Sequence, residues 1–188
     1  LASGLSCPVG FKNGTGGSID IAVDAIKAAS HPHHFLSVTK GGHSAIVSTL
    51  GNEDCHIILR GGPQPNYDAH SVEQASQKML AAGLRPVIMI DSSHSNSNKD
   101  YRRQPEVLAN VGAQISAGDE RIMGVMIESH LVAGRQDLVD GQALTYGQSI
   151  TDGCIGWDDT EVVVEQLAKA VQERRKIVSR QESQAAHA

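Results

Sequence analysis

The sequence predicts an α/β fold, the C-terminal half of a TIM (β/α)8 barrel with an inserted β-hairpin. Three observations predict it. Apolar runs such as Ile57-Ile58-Leu59 and Val87-Ile88-Met89-Ile90 are short, unbroken and bounded by turn residues, as in parallel strands buried on both faces. Four such runs, ending at Phe11, Leu59, Ile90 and Ile127, are each followed by a helical segment, and four β-α units alone do not close a cylinder. Two β-prone runs at residues 35–39 and 44–49, joined by Lys40-Gly41-Gly42-His43, break the alternation and read as a hairpin decorating the wall. The pattern starts in mid-course at Leu1-Ala2-Ser3-Gly4-Leu5, so four earlier units are expected to belong to the barrel but not to this sequence.

Taken in order, Cys7-Pro8-Val9-Gly10-Phe11 predicts the first strand, with Lys12 at its C-terminal end and a glycine-rich turn after it. Residues 19–29 put Ile19, Ala22, Val23, Ile26 and Ala29 on one helical face, and Ser18 is placed to cap it. His31, His33 and His34 surround a proline without acidic partners, which predicts a polar turn rather than a metal site. The next wall strand ends in Arg60-Gly61-Gly62, repeating the cation of Lys12. Residues 71–82 are amphipathic and closed by Gly83. Asp91 ends the third strand and would need partners if buried, whereas the polar loop at 93–100 is given little part in the core. A helix at 105–114 and a strand from Ile122 follow, and residues 131–147 predict a long loop covering the active face. The last helix is expected from Thr160 to about Lys176, capped by Asp158 or Asp159, so that residues 1–176 form the barrel part and 177–188 a tail.

Chemistry collects where these strands end. His94, Glu128 and Asp152 supply one nitrogen and two hard oxygen donors, which suits a divalent Mn, Fe, Co or Zn ion. Lys12 and Arg60, at equivalent strand ends, suit a phosphate or carboxylate. Blander readings stay open: a solvated Lys12, an Arg60 holding a neighbouring carboxylate, a Glu128 salt-bridged to Arg60 or Lys12.

Lys+Arg 16 against Asp+Glu 21, a formal charge of -5, argues against nonspecific nucleic-acid binding, which leans on basic excess. No apolar run reaches the roughly 18 to 20 residues of a membrane span, and no leader-like segment stands out. Cys7, Cys55 and Cys154 lack the density of a disulfide scaffold, so a cytoplasmic chain with reduced thiols is the expectation.

Five blocks in order, Cys7-Pro8-Val9-Gly10-Phe11-Lys12-Asn13-Gly14-Thr15, Ile57-Ile58-Leu59-Arg60-Gly61-Gly62, Met89-Ile90-Asp91-Ser92-Ser93-His94-Ser95-Asn96-Ser97, Gly124-Val125-Met126-Ile127-Glu128-Ser129-His130 and Ser149-Ile150-Thr151-Asp152-Gly153-Cys154-Ile155-Gly156-Trp157, resemble the type I 3-deoxy-D-arabino-heptulosonate 7-phosphate (DAHP) synthases of the shikimate pathway. The resemblance runs from Leu1 to about Lys176. It implies a metal-dependent barrel enzyme that condenses phosphoenolpyruvate with erythrose 4-phosphate. Of the family's four metal ligands, the histidine, glutamate and aspartate fall on His94, Glu128 and Asp152, while the cysteine has no counterpart here. The family's phosphoenolpyruvate-binding lysine and arginine match Lys12 and Arg60; its Lys-Pro-Arg-Thr segment for erythrose 4-phosphate is absent. By the same resemblance Asp152 serves both metal and a sugar hydroxyl, and His94 is a ligand rather than a base. The hairpin resembles the family's feedback element, so Ser6, Phe35, Ser37 and Val47 are the expected contacts of an aromatic amino acid inhibitor. The serine at Ser37 favours phenylalanine. Homo-oligomers are the family habit. Two rival readings remain: another metal-dependent aldolase-type barrel, or a half barrel without turnover that binds ligand or associates with itself.

Overall fold

The computed structural model describes residues 1–185. Four parallel strands form one sheet in the order β1 (Val9–Lys12), β4 (Cys55–Leu59), β5 (Ile88–Asp91), β6 (Ile122–Met126). Helices α1 (Asp20–Ala29), α2 (Ala69–Ala81), α3 (Gln104–Ser116) and α4 (Trp157–Ala185) follow or flank them. The β-α alternation expected of part of a barrel is therefore present, and the described sheet stays open. No helix among the described residues is long and apolar enough to cross a membrane.

Strand alternation divides the wall into two faces. Ile57 and Leu59 of β4, with Ile88 and Ile90 of β5, turn toward the helices and are fully buried against Val23 and Ile26 of α1, Val72 and Met79 of α2, and Val111 and Ile115 of α3. Each aliphatic side chain so buried contributes about 1.5–3 kcal/mol. Gly10, Lys12, Ile58 and Asp91 fall on the opposite, inner face. Gly10 leaves room there, because a Cβ would stand 2.4 Å from Ile58 Cδ1.

A strong stop signal ends α2. After α2, Gly83 at φ +76 lets its N–H reach Leu80 O while Leu84 N–H reaches Met79 O, the paired bonds of a glycine C-terminal motif. The α2 start is fixed by Asp68, which accepts the Ser71 N–H at 3.1 Å and the Ser71 hydroxyl at 2.7 Å. Ser18 accepts the Asp20 N–H at 3.3 Å but is not the cap expected of it, because Ile19 occupies the N-cap position of α1 and makes no side-chain cap bond.

The hairpin forms from β2 (His33–Val38) and β3 (Ser44–Thr49), paired antiparallel with Phe35 opposite Val47. His33 and His34 thus belong to a strand and not to a polar turn; His33 bonds the Ala28 carbonyl at 2.7 Å, at the end of α1. Two other expectations are corrected. Segment 131–147 is not a plain loop: β7 (Val132–Arg135) pairs with β8 (Gln148–Ser149). The last helix does not stop near Lys176 but runs unbroken to Ala185, because nothing after Lys176 breaks it: no glycine or proline occurs between 177 and 185. The remaining residues of the expected tail, 186–188, lie outside the described residues.

Burial pushes the Asp68 carboxyl up, but the Ser71 hydroxyl and amide outweigh it and leave the folded value below the ordinary one. The cap's ionic contribution is therefore full above the unfolded value of about 3.9 and lost as pH falls through the lower folded value. Asp68→Ala should cost about 1 kcal/mol at neutral pH, with the difference from wild type narrowing in acid, as read from urea unfolding at both pH values.

Candidate metal centre

Three of the expected residues meet at one end of the sheet. Ligand atoms of His94, Glu128 and Asp152 all lie within 4.8 Å of one another. They border a cleft of about 210 Å³ shared with Lys99 and Tyr101. His94 presents Nε2 to this cleft, 3.8 Å from Glu128 Oε1. One imidazole and two carboxylates, partly open to solvent, form a donor set that fits a divalent ion with positions left for other ligands.

Each donor arrives by a different route. His94 sits just past β5 at φ 50, and Asn98 and Lys99 share this left-handed region, an unusual density of non-glycine strain that marks a held loop. The loop is not the exposed polar segment expected: Ser93, Asn96 and Ser97 are buried. Asn96 donates to Leu59 O at 3.1 Å and Asp91 O at 2.7 Å, and accepts the Asn66 N–H at 2.8 Å. Asn66 accepts from Gly61 N and donates to Asn13, whose own amide bonds Gly61 O at 2.9 Å and accepts the Arg60 N–H at 2.8 Å. Three asparagines thus tie together the loops that follow β1, β4 and β5. Gly61, at φ +77, must be bare, because a Cβ would stand 2.8 Å from the Asn96 backbone nitrogen.

Glu128 lies two residues past β6, and its peptide is held on both sides. The buried Gln104 side chain donates to Glu128 O at 2.9 Å and accepts from Glu128 N at 2.9 Å, as a neighbouring strand would. On the other side Ile155 N donates to the same carbonyl at 3.0 Å, and Ser129 bridges Ile155 in parallel. That bridge brings the exposed Asp152, three residues before Ile155, to the Glu128 carboxylate.

Lys12 does not solvate freely and does not pair with Glu128. Its ammonium reaches past β4 to Asp91 Oδ2 at 2.9 Å, with Asp91 wholly buried. Ser93 N–H occupies Asp91 Oδ1 at 2.9 Å. Arg60 has no carboxylate partner among the described residues, so the reading in which it neutralises Glu128 fails. Cys154 lies beside the cleft, its thiol pushed up by burial and by the Glu128 and Asp152 charges against a Ser149 hydrogen bond.

A separate cavity of about 570 Å³ lies between the N-terminal turn and the hairpin, and it is lined in part by Ser6, Phe35 and Val47. Ser37 is not among its lining residues. Sequence reasoning assigned no role to Gln104, Asn13, Asn66, Asn96 or Lys99, and for the amides no local signal marks such a role. Asp91 was legible only as a charge in an apolar run.

The DAHP synthetase I family matches residues 1–165. The chain is 61% identical over 180 residues to a phospho-2-dehydro-3-deoxyheptonate aldolase of Haemophilus influenzae, covering 95% of this chain and 50% of that protein. It is 60% identical over 175 residues to the Phe-sensitive phospho-2-dehydro-3-deoxyheptonate aldolase of Escherichia coli K12, covering 93% of this chain and 50% of that one. The solved structure of the Francisella tularensis SCHU S4 phospho-2-dehydro-3-deoxyheptonate aldolase superposes with a TM-score of 0.87 at 50% identity, over 92% of this chain and 50% of that chain. The chain thus spans about half the length of these relatives.

Gln104→Leu would strand the N–H of Glu128 and loosen its carboxylate. Stability should fall by about 1–3 kcal/mol, and divalent-metal affinity roughly 10-fold. Calorimetric titration with Mn2+ alongside chemical unfolding reads both.

Proposed function

The chain belongs to the DAHP synthetase I family, and on that premise we propose that it carries active-site residues of a 3-deoxy-7-phosphoheptulonate synthase. The reaction joins phosphoenolpyruvate, D-erythrose 4-phosphate and water into DAHP and phosphate. The observation that best supports this reading is the convergence of His94, Glu128 and Asp152 at the strand ends, on the side of the sheet where Asp91 holds Lys12.

His94 through Nε2, Glu128 and Asp152 would hold a divalent ion, one of Mn, Fe, Co or Zn. Such an ion supplies Lewis acidity that polarises an aldehyde carbonyl. Lys12 and Arg60 bind anionic phosphoenolpyruvate, Arg60 with a fork that has no internal carboxylate to satisfy and Lys12 with an ammonium already aimed across the inner face. Their fixed charges stabilise negative charge as C3 of phosphoenolpyruvate bonds to the aldehyde carbon, water adds at C2 and phosphate leaves with C–O cleavage. Asp152, the most exposed of the three donors, accepts a hydrogen bond from a sugar hydroxyl. His94 is a ligand and not a base, because a coordinated nitrogen has no lone pair for a proton.

The cavity at Ser6, Phe35 and Val47 is where an aromatic amino acid would bind as inhibitor, with phenylalanine favoured; the Escherichia coli relative bears the description Phe-sensitive. Ser37 is retained as a specificity residue of the hairpin without a wall position in the cavity. A homo-oligomer and a cytoplasmic location accompany this reading.

The test is release of inorganic phosphate from phosphoenolpyruvate by the protein carrying this chain. It should require both erythrose 4-phosphate and a divalent metal and be inhibited by millimolar phenylalanine. Lys12→Met and Arg60→Met should each lower kcat/KM by roughly 100-fold. Turnover with an unrelated aldehyde but not with erythrose 4-phosphate would favour a different aldolase-type barrel. The 188-residue chain by itself should turn over weakly or not at all, since the family's cysteine ligand and Lys-Pro-Arg-Thr segment have no counterpart in it; metal or phosphoenolpyruvate binding without turnover is the expected behaviour.

A further inference from the structure

The Asp91 carboxylate stands between the two kinds of chemistry assigned above, and nothing in the ligand set accounts for its position. It has no exposure, and its Oδ2 lies 2.9 Å from Lys12 Nζ and 2.9 Å from His94 Nδ1. His94 Nδ1 is itself buried and makes no well-directed hydrogen bond; Asp91 Oδ2 is close enough for one but off its line. The backbone N–H of Ser93 holds the other carboxylate oxygen, so the group cannot swing away without giving up that bond.

We propose that Asp91 is a positioning residue that acts on both halves of the site at once. Toward the metal, the Asp91 charge 2.9 Å from His94 Nδ1 favours the proton on that nitrogen and leaves the Nε2 lone pair facing Glu128. An imidazole whose second nitrogen meets a carboxylate is held in one tautomer and one orientation and is a more basic ligand. Toward the anion, Oδ2 draws the Lys12 ammonium over the inner face, where a flexible side chain 31% exposed would otherwise spread over many rotamers. One buried oxygen thereby links the order of a metal ligand to the order of an anion-binding cation.

This inference rests on the functional reading above, and the experiment separates the two. In the metal-free wild-type protein, long-range proton–nitrogen spectra of the His94 ring should show the Nδ1–H tautomer. In Asp91→Asn, Co2+ affinity by calorimetry should fall roughly 10- to 100-fold, with a changed Co2+ absorption spectrum. Phosphoenolpyruvate affinity without metal should fall as well, and adding Lys12→Met to Asp91→Asn should weaken it little further, as expected when two residues act through one contact. An Nε2–H tautomer in the wild type would overturn the proposal with no variant needed. Co2+ and phosphoenolpyruvate affinities unchanged in a folded Asp91→Asn protein would overturn it while the synthase reading stands. A wild-type protein that binds neither Co2+ nor phosphoenolpyruvate would overturn both.

Discussion

Asp91 closes a strand that is otherwise apolar, and a carboxylate with no exposure at that point is tolerable only if protein groups replace the water it has lost. The inner face of the sheet is arranged around that requirement. Lys12 comes from β1, two strands away, the Ser93 amide comes from the turn, and the His94 ring lies against the same oxygen. Removing water from this corner strengthens each of these contacts. The cation and the imidazole are therefore held by one charge rather than by separate supports.

Around that corner the loops are joined by amide side chains rather than by apolar packing. Asn13, Asn66 and Asn96 pass hydrogen bonds between the turns after three successive strands, and Gln104 pairs with the peptide of Glu128 as a strand would. Loops at strand ends carry backbone groups that a sheet no longer satisfies, and a primary amide, with both donor and acceptor, matches a peptide group for group. Sites of this kind need rigid surroundings, since donor atoms must be held to a fraction of an ångström to be useful. Three residues of the loop, His94, Asn98 and Lys99, take the left-handed conformation, and local turn bonds such as Lys99 N–H to His94 O accompany the Asn96 anchors.

Much of this is legible in the sequence. Unbroken apolar runs marked all four wall strands, Gly83 marked the end of α2, and paired β-prone runs marked the hairpin, because each signal is written within a few neighbouring residues. His94, Glu128 and Asp152 stood out as polar residues at or beyond strand ends. Polarity misleads in the loop given little part in the core: Ser93, Asn96 and Ser97 are buried there, and Asn96 is satisfied by Leu59 O and Asp91 O. The short strands of residues 132–135 and 148–149 are not legible, since β7 is mostly exposed and β8 is two residues long, which leaves no buried apolar run to detect.

By itself the sequence determined the four wall strands with their helices, the hairpin, the cations and candidate donors at or beyond the strand ends, and the resemblance that joins them, because hydrophobic period, turn residues and motif blocks are properties of adjacent positions. The tertiary structure decided which charge meets which. Lys12 pairs with Asp91, 79 residues away, and not with Glu128; Arg60 pairs with no carboxylate among the described residues; Gln104 finds a peptide 24 residues on. Such choices depend on strand order and register, which set distances between side chains far apart in the chain, and no window of sequence contains them.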